Sequence, residues 1–451
     1  MRVAFVISKS HLHPNGGIGQ FAKSFLEMAE SLGWCVDFIL DMPARNNDPL
    51  VDYIQSRGCK FIVPDQPISY SRHTSLFQFG DSFNIEKMLN FQNALTKAFT
   101  RFMYDLVISN TPEATPAYQF MDLYHYCPLI HYTHIENSVF FDAEPNDTFR
   151  PAHTAFLRNL NTCPGVIVGT QSKHNAELIK TRFPESNVLP LPMPVPELDL
   201  LEDDFPEQSG VLFIGRHEDR KNPKLFVKTV AEAGLPAKVL TKPNSVPKFE
   251  KMFAEHGVTD YEIKAGIIGK EKTDFIKSAR VAFHPALRES FGFSAFESLH
   301  SCPTLLVEEY HWWANFKDMG VETCTKKTAK EKLLELYNQK PDPSNRVKRM
   351  KEVHDETYRL WKDLIDSLVI KSADKIGKNT LHSTLEEHKT IRLHDYWFKH
   401  LNRTMPNIPD FESVWYKKAH FKVIQTEDDT WISIEDDPEI PDKQGVGLFD
   451  F

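Results

Sequence analysis

The sequence predicts an α/β protein of two domains, each built on a parallel sheet. Three observations carry this. Short apolar runs alternate with amphipathic helical patterns from the N-terminus, the alternation restarts near residue 209, and a proline-rich acidic stretch separates the two series. At 451 residues the chain also exceeds the ~100–200 of one ordinary domain.

VAFVIS (Val3–Ser8) is a continuous apolar run of strand length. No small-residue cleavage site follows it, so it reads as a buried first strand rather than a signal peptide. A polar, glycine-containing loop follows (Lys9–Gly19). Gln20–Leu32 then sets Phe21, Phe25, Met28, Ala29 and Leu32 at helical spacing, with Gly33 as C-cap. Val36–Leu40 is the next strand, and strand–loop–helix–strand order implies parallel pairing. Further strands are expected at Lys60–Val63, Leu106–Ser109, Leu129–Thr133 and Val166–Val168, with an elaborated loop over Pro64–Asn84.

Leu189–Pro196 reads LPLPMPVP, and an acidic stretch continues to Glu207. Proline removes backbone donors and stiffens the chain, which predicts an interdomain linker rather than a strand. The second series follows, with strands at Val211–Ile214, Ala237–Leu240, Tyr261–Lys264, Val281–His284 and Thr304–Val307, and mostly helix over Lys326–Ser367. The expected organisation is a first domain over 1–190, a linker over 191–208, a second domain over 209–370, an extension over 371–426 whose helices return to the first domain, and an acidic, flexible tail over 427–451 that contains a short WISI segment.

Hydrophobic residues make up 41% and charged residues 25%, the balance of a soluble globular protein, and no apolar run reaches the ~18–20 residues that span a bilayer. No membrane partner is expected. Six scattered cysteines without a C-x-x-C pair argue against a zinc site or disulfide framework and for a reducing cytoplasm. The net charge of −9 disfavours nucleic acid at first sight, but the tail holds nine acidic residues and one basic, leaving −1 for residues 1–426. A local basic face is therefore compatible with the composition.

The strongest chemical signal is GRHEDRKNP (Gly215–Pro223), directly after a strand. Gly215 lets the backbone turn at the strand's carboxyl end, where open α/β sheets bind ligands, and Arg216 and Lys221 present two cations to a diphosphate. On its own this is equally a solvated charged turn. It is followed by FHPALRESFGFSAFES (Phe283–Ser298), in which a strand leads through Glu289 to Phe291-Gly292-Phe293 and a helix carrying Glu297. A glycine turn at a helix start offers backbone N–H groups to phosphate, and carboxylates accept hydrogen bonds from sugar and ribose hydroxyls.

Two pieces of the first domain complete the candidate site. HPNGGIGQF (His13–Phe21) places Gly17 and Gly19 between the first strand and first helix. The rival reading is an NAD site, for which Asp41 stands at the next strand's end. Against it, Gly17-Ile18-Gly19 supplies only half of G-x-G-x-x-G. PLIHYTHIENS (Pro128–Ser138) puts His134 just after a strand, with Glu136 as an alternative and His131 as a structural residue.

Together the second-domain segments resemble family-4 retaining glycosyltransferases of the GT-B fold, whose pattern is G-R-x(n)-K-[NG] followed by E-x-F-G-x-x-x-x-E. Here it reads Gly215-Arg216…Lys221-Asn222 and Glu289-Ser290-Phe291-Gly292-Phe293-Ser294-Ala295-Phe296-Glu297. The resemblance implies two Rossmann-like domains facing each other across a cleft. It assigns Arg216 and Lys221 to the donor diphosphate, Glu289 to the donor sugar and Glu297 to the ribose, with His134 beside the reacting sugar. The co-substrate is then a UDP-sugar. No D-x-D motif occurs, so the two cations are expected to neutralise the leaving group without a metal or other cofactor.

The chain ends KQGVGLFDF, an acidic segment closed by three apolar residues, Leu448, Phe449 and Phe451. This end resembles the clamp-binding C-terminal peptides of T-even-like bacteriophage proteins, and the block layout is similar to T-even phage DNA α-glucosyltransferases. That similarity implies double-stranded DNA containing 5-hydroxymethylcytosine as acceptor, glucose or arabinose as the sugar, the phage sliding clamp as partner, and the host cytoplasm as location. Two other readings stay open: the same enzyme acting on a polysaccharide, lipid or protein, and a non-catalytic clamp adaptor. The presence of Arg216, Lys221, Glu289 and Glu297 together speaks against the adaptor.

Overall fold

The computed structural model describes residues 1–13, 16–44, 48–69, 85–111, 113–120, 123, 127–134, 166–195, 198–289, 291–373, 421–425 and 430–434. These residues fall into two compact units. One takes those within Met1–Thr170, Ala176–Pro190 and Lys362–Phe451, the other those within Gln171–Asn175 and Leu191–Trp361.

The first unit is built on a seven-stranded parallel sheet. Its strands are β1 (Arg2–Ile7), β2 (Cys35–Leu40), β3 (Lys60–Ile62), β4 (Leu106–Ser109), β5 (Leu129–Tyr132), β6 (Val166–Thr170) and β7 (Val188–Pro190), in the order β3-β2-β1-β4-β5-β6-β7. Strands covered on both faces bury every side chain, which is why these segments read as unbroken apolar runs. In β1, Val3 to Ile7 are fully buried, and Phe5 lies opposite Phe38 in β2. Helix α1 (Gly17–Ser31) lays Phe21, Phe25, Met28 and Ala29 on the sheet, with the Phe25 ring 5.1 Å from that of Phe5. The other described helices of this unit are α2 (Pro49–Ser56), α3 (Ile85–Arg101) and α4 (Ala114–Phe120). Helix α5 (Lys173–Arg182) begins in the second unit's short segment and continues in the first.

Two expectations are corrected here. Helix α1 starts at Gly17 rather than Gln20, so both loop glycines belong to its first turn. A Cβ on Gly19 would lie 2.2 Å from the His13 carbonyl oxygen, so the preceding loop can fold against the helix only where no side chain intervenes. The proline-rich run also begins as a strand: Val188, Leu189 and Pro190 pair in parallel with Val168, Gly169 and Thr170. As the outermost strand, β7 has only one side to pair, and there a residue without an N–H is tolerated. Beyond it Leu191, Met193 and Val195 are buried, and the Trp361 indole donates to the Pro192 carbonyl at 2.9 Å.

The second unit holds a six-stranded parallel sheet ordered β10-β9-β8-β11-β12-β13. Its strands are β8 (Ser209–Ile214), β9 (Ala237–Thr241), β10 (Tyr261–Ala265), β11 (Ala279–His284), β12 (Thr304–Val307) and β13 (Glu322–Cys324). Its helices are α6 (Pro223–Ala233), α7 (Val246–Glu255), α8 (Gly269–Lys277), α9 (Phe293–Leu299), α10 (Ala329–Asn338) and the larger part of α11 (Pro343–Ala373), which passes into the first unit at Lys362. Phe213, Phe226, Phe249, Phe283 and Leu305 form the centre of a core between the sheet and α6, α7 and α10.

In the expected extension and tail, residues 371–373 close α11 and the other described residues form β14 (Phe421–Gln425) and β15 (Thr430–Ile434), paired antiparallel. The WISI segment is the body of β15. Glu136, residues 374–420, 426–429 and 435–451, and with them Leu448, Phe449 and Phe451, lie outside the described residues.

Candidate donor site of the second unit

All strands of the second sheet run the same way, so the loops after β8 and β11 leave from one edge of the sheet, the ligand-binding edge of open α/β folds. After β8, Gly215 accepts a hydrogen bond from Thr241 Oγ1 at 2.8 Å, and the chain makes a 3-10 turn over Asp219–Lys221. Asn222 then takes a left-handed conformation (φ 52°), and Pro223 opens α6. Asparagine tolerates that conformation better than most residues with a Cβ. The turn brings the Lys221 side chain back beside Gly215.

Both cations arrive at Glu289. Lys221 Nζ pairs with Glu289 Oε1, and an Arg220 guanidinium nitrogen donates to Oε2 at 3.1 Å. The loops are also joined through backbone, since the Leu287 N–H donates to the Arg220 carbonyl at 2.8 Å. The Glu289 side chain is only 8% exposed, so its charge depends on this pairing. Arg216, by contrast, is half exposed and pairs with Glu218 at 2.9 Å. The glutamate expected at the donor sugar is thus held by the lysine expected at the diphosphate, and Arg220, which sequence reasoning passed over, holds it too.

Gly292 stands at the start of α9 with φ 98°, and a Cβ there would lie 2.6 Å from the Trp312 ring. Trp312 is buried and donates its indole N–H to the Ala286 carbonyl at 2.8 Å, tying that ring to the loop before Glu289. Phe291 is 3% exposed and packs against Phe296 and Phe316. Its ring belongs to the core, so any contact it makes with a ligand falls to its backbone. Phe293 remains half-buried. Glu297 is almost wholly buried on α9 and pairs with Lys272 of α8, a second cation that sequence reasoning missed. His284, at the end of β11, accepts from or donates to Ser298 Oγ at 2.9 Å. Burial, and then the neighbouring Lys221 charge, pushes its pKa down to about 3.

In the first unit, Gly17 is exposed and Gly19 buried in the first turn of α1. His134 follows β5, with Nε2 2.9 Å from Asn110 Oδ1 and its ring against Phe21 and Tyr132. His131 is buried, bonded to Thr115 at 2.9 Å and depressed to about 4 by burial, the behaviour of a structural histidine. Asp41 is fully buried and accepts from the Lys9 N–H at 2.7 Å and from Ser8 at 3.2 Å. It fixes the turn after β1, which gives it a structural use independent of any ribose. Among the described residues, no group of three or more His, Cys, Asp or Glu is arranged to hold a metal ion, and no helix is long and apolar enough to cross a membrane.

No family model matches the sequence, and none of the curated proteins does. Solved structures do match in fold. Sucrose-phosphate synthase from Thermosynechococcus elongatus aligns with a TM-score of 0.60 at 15% identity, over 81% of this chain and 100% of that one. HepE from Anabaena, solved with UDP and glucose, aligns at 0.53 and 10% identity over 86% and 98%. TarM from S. aureus, solved with UDP and α-GlcNAc-glycerol among its ligands, aligns at 0.54 and 12% identity over 89% and 99%. With its two parallel α/β sheets, the chain has the GT-B fold of these glycosyltransferases.

Proposed function

We propose that the protein is a retaining glycosyltransferase that uses a UDP-sugar donor. The observation that carries this is the convergence of Lys221 and Arg220 on the buried Glu289, at the ligand edge of the second sheet of a GT-B fold. A diphosphate entering there competes with Glu289 for Lys221 and gains Arg216 from the exposed side of the same loop. Released in part, Glu289 becomes an acceptor for donor-sugar hydroxyls, while Glu297 takes the ribose. Gly17, Gly19 and His134 are the candidate donor and sugar contacts carried by the first unit. Attack comes from the acceptor on the face the diphosphate leaves, and the leaving phosphate takes the acceptor's proton as the fixed cations stabilise its charge. Because those cations are part of the chain, transfer is expected to proceed in excess chelator. Loss of activity in EDTA with recovery in Mg²⁺ or Mn²⁺ would overturn that point.

For the acceptor we propose 5-hydroxymethylcytosine in duplex DNA, with glucose or arabinose as the sugar and the cytoplasm of a phage-infected host as the setting. Support comes from the T-even-like block layout and from the LFDF end, Leu448, Phe449 and Phe451, as an anchor for a sliding clamp. The test incubates purified protein with hydroxymethylated and unmodified duplexes and a panel of nucleotide sugars, read by mass spectrometry. A mass increase of one hexose or pentose on the hydroxymethylated strand alone is expected. Donor hydrolysis without DNA modification would keep the enzyme and remove this acceptor. A peptide of the last ten residues, titrated calorimetrically against the clamp, is expected to bind at micromolar strength; no heat of binding removes the anchor.

A further inference from the structure

Helices α8 and α9 each begin at the carboxyl end of a parallel strand, β10 and β11 respectively, so both start at the sheet's ligand edge. Lys272 is the fourth residue of α8 and Glu297 the fifth of α9, which places their ion pair near that edge rather than at the far end of the sheet. The Glu297 side chain is 4% exposed and that of Lys272 13%. Among the described residues Lys272 is the only cation within salt-bridge distance of Glu297, and it engages one carboxylate oxygen, Oε1.

A pair this buried gives little net stability over an apolar pair of the same volume, so stability alone does not account for it. What the pair does provide is orientation. Helix α8 is anchored one turn on by the buried Phe275 and Ile276, and by Lys277, whose ammonium donates to the Glu202 carbonyl at 2.9 Å. Lys272 thereby fixes the plane of the Glu297 carboxylate and holds Oε1. The acceptor left for a ligand hydroxyl is Oε2.

We propose that Lys272 is a positioning residue that sets selectivity for a ribonucleotide donor, by presenting Glu297 Oε2 to the ribose hydroxyls in one orientation. This rests on the donor-site reading above, in which Glu297 meets the ribose. A carboxylate free to rotate meets a 2′-hydroxyl only part of the time; one pinned through its other oxygen meets it always, so the lysine's effect is confined to ligands that carry the hydroxyl.

The experiment measures binding of UDP and 2′-deoxy-UDP by calorimetry to the full-length wild type, Lys272→Gln and Lys272→Arg, with thermal melting of each. Wild type is expected to prefer UDP by about ten-fold or more, the worth of a hydrogen bond to a charged group. In Lys272→Gln the preference is expected to fall below about three-fold through weaker UDP binding, with 2′-deoxy-UDP affinity changed less than about two-fold, whereas Lys272→Arg retains most of it. The inference is overturned if Lys272→Gln keeps the wild-type preference, or if it weakens both ligands equally. A Lys272→Gln that melts below the assay temperature is replaced by Lys272→Met, which keeps the side-chain length without the charge: loss of the preference through weaker UDP binding supports the inference, and a retained preference or equal weakening of both ligands overturns it. Equal binding of the two nucleotides by wild type overturns the inference while sparing the donor site. Absence of any UDP binding removes the donor site and this inference together.

Discussion

Asn110 Oδ1 lies 2.9 Å from His134 Nε2, and the same amide donates from Nδ2 to the Val6 carbonyl at 3.2 Å. The second bond fixes the first. With its NH₂ turned to a carbonyl, Asn110 has only an acceptor to offer the ring, so Nε2 carries a proton. Asn110 follows β4, which pairs with β1 where the sheet's order reverses, the position at which open sheets take ligands, and His134 follows the next strand, β5. We expect ¹⁵N-resolved spectra of His134 to show Nε2 protonated, and Asn110→Ala to weaken that preference. If His134 acts at the sugar, the same substitution lowers kcat by roughly 10-fold with little change in UDP affinity. An unchanged tautomer in Asn110→Ala would show that the amide does not control the ring.

Arg216 and Lys221 share a proposed role but differ in what surrounds them. Arg216→Ala removes an exposed ion pair and is expected to change stability by less than about 1 kcal/mol. Lys221→Ala leaves the buried Glu289 with Arg220 alone and is expected to cost about 2–3 kcal/mol. Both are expected to reduce donor turnover by about 10²-fold or more, since each removes a fixed charge from the leaving diphosphate. Denaturant unfolding and donor turnover measured on the same preparations separate the two effects. Near-normal turnover in both variants would remove these residues from the donor site.

Gly292→Ala is expected to destabilise the second unit by about 2–4 kcal/mol, because the backbone sits at φ 98° and the new Cβ meets the Trp312 ring at 2.6 Å. Gly234, the αL residue that ends α6, supplies the control. Its φ is 63° and nothing lies within 4 Å of a Cβ there, so Gly234→Ala is expected to cost only about 1–2 kcal/mol. Equal losses for the two would show that the Trp312 contact relaxes freely.

Much of this architecture was legible in the sequence because parallel strands buried on both faces leave continuous apolar runs, as in VAFVI and VLFI. Helix α1 announced itself through Phe21, Phe25 and Met28. Less legible were the short edge strands: β7 hides its pairing behind prolines, and three-residue β13 has no period to detect. At the site, glycines and the Arg216/Lys221 pattern marked two loops that meet at Glu289. What they could not give was pairing. Lys272 and Glu297 are brought together by two helices packed side by side, and no spacing in sequence encodes that contact. Arg220 stood beside Lys221 throughout, and Asn110 ended a strand in the polar triplet Ser109-Asn110-Thr111. A polar residue directly after a buried strand was the signal available.

Acid is expected to weaken the fold through three buried histidines. His131, His284 and His300 are buried, and burial depresses their pKa values to about 4, about 3 and about 4. Each is neutral in the folded chain at pH 5 to 7, whereas an unfolded histidine takes up a proton near 6.5. The unfolded state therefore binds more protons as pH falls below about 6.5, and stability falls with it until the folded-state values are reached. Above about pH 7 the contribution is fully present. Between pH 7 and pH 5 each histidine is expected to withdraw on the order of 2 kcal/mol. Urea unfolding at the two pH values measures the sum, and His300→Gln assigns one share, since its slope against pH should be shallower than wild type. His300 is suited to this because it lies outside the proposed donor contacts and bonds through Nδ1 to the Phe296 carbonyl at 2.7 Å, a partner that a glutamine amide can also serve. A stability that is flat from pH 7 to pH 5 would mean that the three rings are reached by water, and the packing around β5, β11 and α9 would then be looser than their burial implies.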